Sequence, residues 1–240
     1  MEQKLETKNC IVAFIDLLGT SEAIKNDEHD TNLHSMNLIL QTAIDMCADK
    51  HICRADVKVK AFSDNIVFAM ELPDDAEDVE RMARVHNILE ICAYFQIAAL
   101  GLGISTRGGV TIGDFFCNDI FVWGKGLLRS YTLENKVAIY PRIAIDANVL
   151  PFLPDCDDVG NKHHVLTDFD GIVFLDYLSF FTMPTRDEYI KRSLRDVDII
   201  IKALKNDERA IQKVRWTASY LERGLSDEAR CNGQSHLLLC

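Results

Sequence analysis

Two aspartates stand where a folded chain can use them together. Asp16 closes the apolar run Ile11-Val12-Ala13-Phe14-Ile15, and Asp64 sits in the turn cluster Ser63-Asp64-Asn65. Each alone has a plain structural reading: Asp16 as a helix-capping or turn aspartate, Asp64 as a residue that suits a tight turn. In a palm-type sandwich, however, the end of the first strand and the tip of the following hairpin lie side by side. Two carboxylates placed that way repel unless a proton or a cation resolves the conflict. A pair of Mg²⁺ or Mn²⁺ ions, roughly 3.5–4 Å apart, is the usual solution in phosphoryl chemistry. One ion activates the attacking hydroxyl, and both stabilise charge on the α-phosphate and on the pyrophosphate leaving group. The backbone amides of Leu17, Leu18 and Gly19, running on to Ser21 at a helix start, are the candidate polyphosphate cradle.

The elements that must position this pair are legible as periods. Ile11–Ile15 reads as a buried strand, and Gly19-Thr20-Ser21 opens a helix. Leu33, Met36, Leu38, Ile39, Ala43, Ile44 and Cys47 recur at helical spacing over 32–48. Val57, Val59 and Ala61 alternate with polar residues, and Ile66–Met70 is again apolar, so 57–70 reads as a hairpin with an acid at its tip. A helix with an acidic start covers 75–100. A strand around 104–113 carries Gly108-Gly109, where either a bulge or a close backbone approach is expected. A helix starts within Trp123–Glu134, a strand follows at Arg142–Asp146, and 164–178 forms a hairpin with Asp168-Phe169-Asp170-Gly171 as its turn. From about 185 the chain is helical, and the tail after Gly224 is expected to be loosely ordered. The order predicts an α/β (α+β) sandwich of ferredoxin or palm type with a mainly antiparallel sheet. Residues 1–180 form the catalytic domain, and 181–240 form a helical extension packed on it.

Composition narrows the chemistry. The 240 residues carry 26 basic and 37 acidic side chains, a net charge of -11. Such a chain repels polyanions, so nucleic acid is not an expected partner, whereas a small polyphosphate can be bridged to carboxylates by divalent metal. The eight cysteines include no CxxC pair. Cys10 and Cys92 lie inside apolar runs and read as small buried hydrophobes. With no leader-like segment and no long apolar run, the expected setting is the cytoplasm, with no membrane contact. His163-His164 has no evident ligand partner in the sequence and is not read as a metal site.

Four segments resemble, in order, the motifs of class III nucleotidyl cyclases. FIDLLG (Phe14 to Gly19) resembles the FxDxxG metal motif, and KAFSDNIVFA (Lys60 to Ala69) is similar to the KxxGDxxxA hairpin. GISTRGGVTIG (Gly103 to Gly113) is similar to the GIxxGxVxxG strand, and WGKGLLRSYTLE (Trp123 to Glu134) to the WGxxVNxAxRxE helix. The resemblance covers residues 10–146. It implies that Asp16 and Asp64 are metal ligands and that the chain works as a homodimer with shared active sites. This sequence departs from the motif at three places. The ribose-positioning Asn and the transition-state Arg of the family helix fall on Leu128 and Thr132, and the base-reading acid falls on Phe121. A purine's exocyclic amine loses its partner there, while Lys60 keeps the other base-reading position.

This pattern is similar to the pyrimidine cyclases of Pycsar anti-phage systems, in chain length, in FIDLLG, FSDN and RGG, in the GxxLxxxYxLE helix (Gly124 to Glu134) and in Pro141-Arg142-Ile143. That resemblance implies conversion of UTP or CTP to cUMP or cCMP and pyrophosphate, the product being a second messenger for a separate effector. A cation must replace the missing transition-state Arg. Arg107 is the candidate, as a phosphate clamp or alternatively as a structural salt-bridge partner, with Arg129 second. Lys60 either touches the base, which favours uracil's carbonyl, or is a solvated strand lysine. Phe121 either lines the base pocket or belongs to the core, and Tyr131 is read as core. The competing functional reading is a nucleotide-binding regulatory module of the same fold that has lost catalysis. A cyclic-dinucleotide synthase ranks below both, because GGDEF is absent.

Overall fold

The computed structural model describes residues 5–19, 25, 30–48, 56–155, 162–181, 185–204 and 207–231. The chain divides into two compact units, Met1–Tyr177 and Leu178–Cys240.

The first unit is built on strand β1, Lys8–Leu17. Ile11, Val12, Ala13 and Ile15 are all fully buried, which only a strand covered on both faces can achieve. Helix α1 (Thr31–Ala48) leads to the hairpin of β2 (Val57–Phe62) and β3 (Asn65–Glu71), and helix α2 (Asp78–Gly101) to β4 (Thr106–Cys117). A two-residue strand β5 (Val122–Trp123) folds back on β4, and helix α3 (Lys125–Thr132) follows, continuing into a π-turn at Leu133–Val137. Strands β6 (Ile143–Ile145), β7 (Val165–Thr167) and β8 (Val173–Leu175) complete the sheet. Its order is β2-β3-β1-β4-β6-β8-β7, with β5 paired to β4. Only β4 and β6 run parallel among these pairs. The α/β sandwich with a mainly antiparallel sheet is the architecture expected from the sequence.

The period of two along β1 sorts its side chains between two helices. Cys10, Val12 and Phe14 join Val67, Ala69 and Phe115 in a cluster that packs against Leu127 of α3. The opposite face meets α2, where Phe68 and Phe95 pack edge to face at 5.9 Å. Gly109 explains how close α3 comes. A Cβ there would sit 2.3 Å from Leu133 Cβ and 2.5 Å from the Ser130 carbonyl oxygen. Of the two readings of the Gly pair, close approach is the one observed, and what approaches is the chain's own helix.

Three expectations change. Trp123 does not open a helix: it pairs with Phe116 as the end of a short hairpin and is 68% exposed. The helix expected at Gly19-Thr20-Ser21 lies mostly outside the described residues, and Gly19 itself is a turn residue with φ 86°. The region after Gly224 is not a loose tail from that point, because the last helix continues to Cys231.

The second unit contains helix α4 (Thr185–Ala203) and helix α5 (Glu208–Cys231). Trp216 stacks on Tyr220 at 5.7 Å, and the Leu178 N–H donates to the Tyr220 hydroxyl oxygen at 3.1 Å. Gly224 leaves room for Leu178, whose Cδ1 would lie 2.8 Å from a Cβ at that position. Among the described residues no helix is long and apolar enough to cross a membrane.

Candidate active site

Strand register brings the two aspartates together. Asp16 sits opposite Asn65 of β3 on one side and opposite Arg107 of β4 on the other. The two-residue loop Ser63-Asp64 closes the β2–β3 hairpin, with Ser63 in the left-handed region at φ 58°. The Leu17 N–H donates to the Asp64 carbonyl at 3.0 Å, so the hairpin tip is pinned to the end of β1. Asn65 Nδ2 donates to Asp64 Oδ1 at 3.0 Å and orients that carboxylate. The strand end expected beside a hairpin tip is thus a matter of register, fixed by seven residue pairs between β1 and β3.

Arg107 stands beside Asp16 on the same sheet face, because directly paired residues point the same way. Its Nε–H donates to Asp16 Oδ2 at 3.1 Å, and the same nitrogen lies 2.7 Å from Glu134 Oε1. Both carboxylates are sheltered, the Asp16 side chain at 15% and the Glu134 side chain at 4% exposure. The π-turn that carries Glu134 is closed by the Ala138 N–H donating to the Leu133 carbonyl at 2.8 Å. Glu134 was not singled out from the sequence. Its signal was available in the helix motif, but nothing in helical spacing says that the helix widens by one residue there.

An aromatic surface adjoins the carboxylates. Phe14, two residues before Asp16, packs on Phe62 at 6.2 Å and edge-on to Tyr131 at 5.4 Å. Phe62 and Tyr131 remain about half exposed, which corrects the reading of Tyr131 as core. Phe121 is 43% exposed and packs on Phe116, so it is not a core residue either. The loop before it is ordered by Asn118, whose side-chain oxygen accepts from the Ile120 and Phe121 N–H groups at 2.9 Å. Lys60 reaches this same loop, its ammonium donating to the Asp119 carbonyl at 3.1 Å. Lys60 therefore reaches the loop that leads into Phe121.

Other candidates are drawn elsewhere. Arg129 is clamped on Asp146 by two hydrogen bonds of 2.7 Å, and Asp146 also accepts from the Thr111 hydroxyl. That hydrogen bond from Arg129 holds the Asp146 carboxyl below its ordinary range. Arg129 thus ties α3 to the end of β6, at the level of Thr111 and away from Arg107 along β4. The proposed amide cradle also changes: the Leu17 and Leu18 N–H groups donate to the Asp64 and Ser105 carbonyls. A Cβ built on Gly19 would meet no atom of the described residues within 4 Å. Leu128 is 67% exposed, and the Thr132 hydroxyl donates to the Leu128 carbonyl at 2.7 Å.

His164 has neighbours the sequence did not reveal. Its ring lies 5.1 Å from that of His86 on α2 and 5.8 Å from that of His163. Burial, followed by the charges of His86 and His163, pushes its pKa down to about 4. A cavity of about 400 Å³ lies at the opposite end of β1 from Asp16, near Cys10. Of its lining cations, Lys8 pairs with Glu71 and Arg84 with Glu80 and Asp56, and Lys58 also lines it.

Asp16 and Asp64 offer hard carboxylate oxygens, the donor type suited to Mg²⁺ or Mn²⁺. Among the described residues no group of three or more His, Cys, Asp or Glu side chains comes together for a metal. Such a donor pair fits a cation that takes its remaining ligands from water and substrate phosphates, as Mg²⁺ commonly does.

No family model matches the chain. No curated protein matches it either. Among solved structures it is similar to the adenylyl cyclase CyaB from P. aeruginosa, at 15% identity and a TM-score of 0.47, over 72% of this chain and 94% of that one. It is also similar to the guanylate cyclase domain of RhGC from Catenaria anguillulae in complex with GTP, at 14% identity and a TM-score of 0.44, over 71% and 96% of the two chains. A class III adenylyl cyclase-like ATP-binding protein from Pseudomonas aeruginosa is similar at 12% identity and a TM-score of 0.40, over 89% of this chain and 46% of that one.

Proposed function

We propose that the protein is a nucleotidyl cyclase that converts UTP or CTP to the 3′,5′-cyclic monophosphate and pyrophosphate. The observation that carries the reading is the pinning of Asp64 to the end of β1 beside Asp16, with the Arg107 cation on the adjoining strand. Asp16 and Asp64 would hold Mg²⁺ or Mn²⁺, which would supply Lewis acidity toward the ribose hydroxyl and the phosphate oxygens. In the reaction the 3′-oxygen bonds to the α-phosphorus, the bond to the β-phosphate bridging oxygen breaks, and the hydroxyl proton passes to solvent. Arg107 acts as the guanidinium that clamps phosphate oxygens, the task for which a planar fork of donors is suited. The exposed faces of Phe62 and Tyr131 offer a stacking surface for the base.

Base choice follows from what stands at the β4–β5 loop. Phe121 has no acceptor for a purine's exocyclic amine, and a buried amine without a partner costs about 1–3 kcal/mol. Lys60 is a donor, which favours uracil's carbonyl over cytosine's amine. The exposed apolar side chains of Phe62, Phe121, Leu128 and Tyr131 support a homodimer whose sites are completed across two chains. The product then serves as a second messenger read by a separate effector, in anti-phage defence.

The test is incubation of the protein with each of ATP, GTP, CTP and UTP in Mn²⁺, with products identified by mass spectrometry. A cyclic pyrimidine monophosphate is expected from one substrate. Asp16→Asn and Asp64→Asn are each expected to abolish it while circular dichroism stays unchanged. A second reading, a triphosphate-binding module without turnover, is favoured by Leu128 and Thr132, which offer no substrate-directed group at the motif's two positions. Tight triphosphate binding with no product from any of the four would select it.

A further inference from the structure

Arg107 occupies a position that is hard to reconcile with a cation on Asp16. Its Nε–H hydrogen bond runs to Asp16 Oδ2, one of the oxygens a divalent ion would use. Two cations on one carboxylate repel, so the guanidinium must withdraw when a metal ion arrives. The structure also holds the place to which it withdraws. Glu134 Oε1 already lies 2.7 Å from the same nitrogen, and its side chain is 4% exposed. A buried carboxylate needs a permanent partner, and Arg107 is the cation beside it.

The chain goes to some length to put Glu134 there. Gly109 has no Cβ, which lets the backbone of α3 settle on β4 with Glu134 N 3.1 Å from where that Cβ would be. The helix then widens into a π-turn at Leu133–Val137, a geometry often found at functional sites. Gly109 stands two residues beyond Arg107 on β4 and on the same face.

We propose that Glu134 is a positioning residue that holds Arg107 as a transferable placeholder cation. Without metal, Arg107 bridges Asp16 and Glu134 and neutralises the site. When a divalent ion takes Asp16, Arg107 stays paired with Glu134, and the rest of its guanidinium edge is turned to the triphosphate. This inference rests on the proposed metal role of Asp16, and the experiment separates the two.

Mn²⁺ is titrated calorimetrically into the nucleotide-free protein and its variants, with folding checked by circular dichroism. Asp16→Asn is expected to abolish binding. Arg107→Gln is expected to tighten binding by about tenfold, near the low end of a hydrogen bond to a charged group. Glu134→Gln is expected to weaken it by a similar factor, because Arg107 then has Asp16 alone, and Glu134→Asp is expected to restore part of the loss. Unchanged or weaker binding in Arg107→Gln overturns the placeholder, and unchanged binding in Glu134→Gln overturns the role of Glu134. Absence of any Asp16-dependent binding in the native chain overturns the metal reading itself. A measurement on the native chain alone covers the case in which a variant does not fold. On ¹⁵N-labelled protein, the Arg107 Nε–H resonance is expected to shift on addition of Mg²⁺ without nucleotide. A resonance that stays in place overturns the handover.

Discussion

Arg142 shows what a single side chain can carry. It is 1% exposed and its guanidinium is divided between Asp168 and Asp170, the two acids of the β7–β8 turn. The turn aspartates read from the sequence therefore do more than favour a bend: they bring charge to an arginine just before β6. Removing one partner of a buried pair leaves its counter-charge stranded. Arg142→Met is expected to destabilise the protein by about 3–5 kcal/mol in urea denaturation. His164 supplies a second prediction. Its folded pKa is pushed down to about 4, against about 6.5 in an unfolded chain. The unfolded state then binds more protons between those values, so stability falls as pH drops from 6.5 to 4. Replacing His164 with Gln is expected to flatten the melting temperature across that window. The residue scale was also the least legible from sequence. Asp16 stood out because it ends an apolar run, Asp64 because it sits in a turn cluster between two strand patterns, and Arg107 because it adjoins glycines, whereas Glu134 and Asp146 make contacts across the sheet, which no local pattern encodes.

At the scale of elements, the site depends on how tightly α3 lies on β4. Gly109→Ala would place a methyl group against Leu133 and the Ser130 carbonyl. Overpacking of this kind typically costs about 1–3 kcal/mol. Gly109→Ala is expected to lower stability by that amount and, by lifting Glu134 from Arg107, to reduce turnover at least several-fold. Equal turnover per folded molecule would uncouple the helix from the site. The strands and helices themselves were readable because their periods are strong: β1 is continuously apolar, β2 alternates, and the Asp-Asn cluster falls between β2 and β3. What was not readable was local backbone choice. Val122 and Trp123 became a two-residue strand because Phe116 and Cys117 offered them a free edge, and edge pairing is a tertiary event. Similarly, the last helix ran past Gly224 because that glycine faces Leu178 and Ile190 closely. Packing there outweighs the helix-ending tendency of glycine.

For the whole molecule, the division at Tyr177 and Leu178 gives a direct expectation. Met1–Tyr177 holds the complete sheet, both faces of β1 covered, and every residue of the candidate site. Residues 1–177 expressed alone are expected to fold, with a single cooperative thermal transition by circular dichroism. A non-cooperative melt would mean that the second unit is needed for the first. The chain's net charge of -11 bears on assembly at the same scale. Two copies repel one another, and that repulsion is screened as salt rises, so any self-association is expected to strengthen with ionic strength. The two tryptophans turn the division into an optical instrument. Trp123, largely open to water, belongs to the first unit, and Trp216, stacked on Tyr220, belongs to the second. With one indole replaced by phenylalanine in each of two variants, red-shifted emission follows the sheet-bearing unit of the chain. Blue-shifted emission follows the helical half, so the order in which the two units melt can be read as colour from a single cuvette.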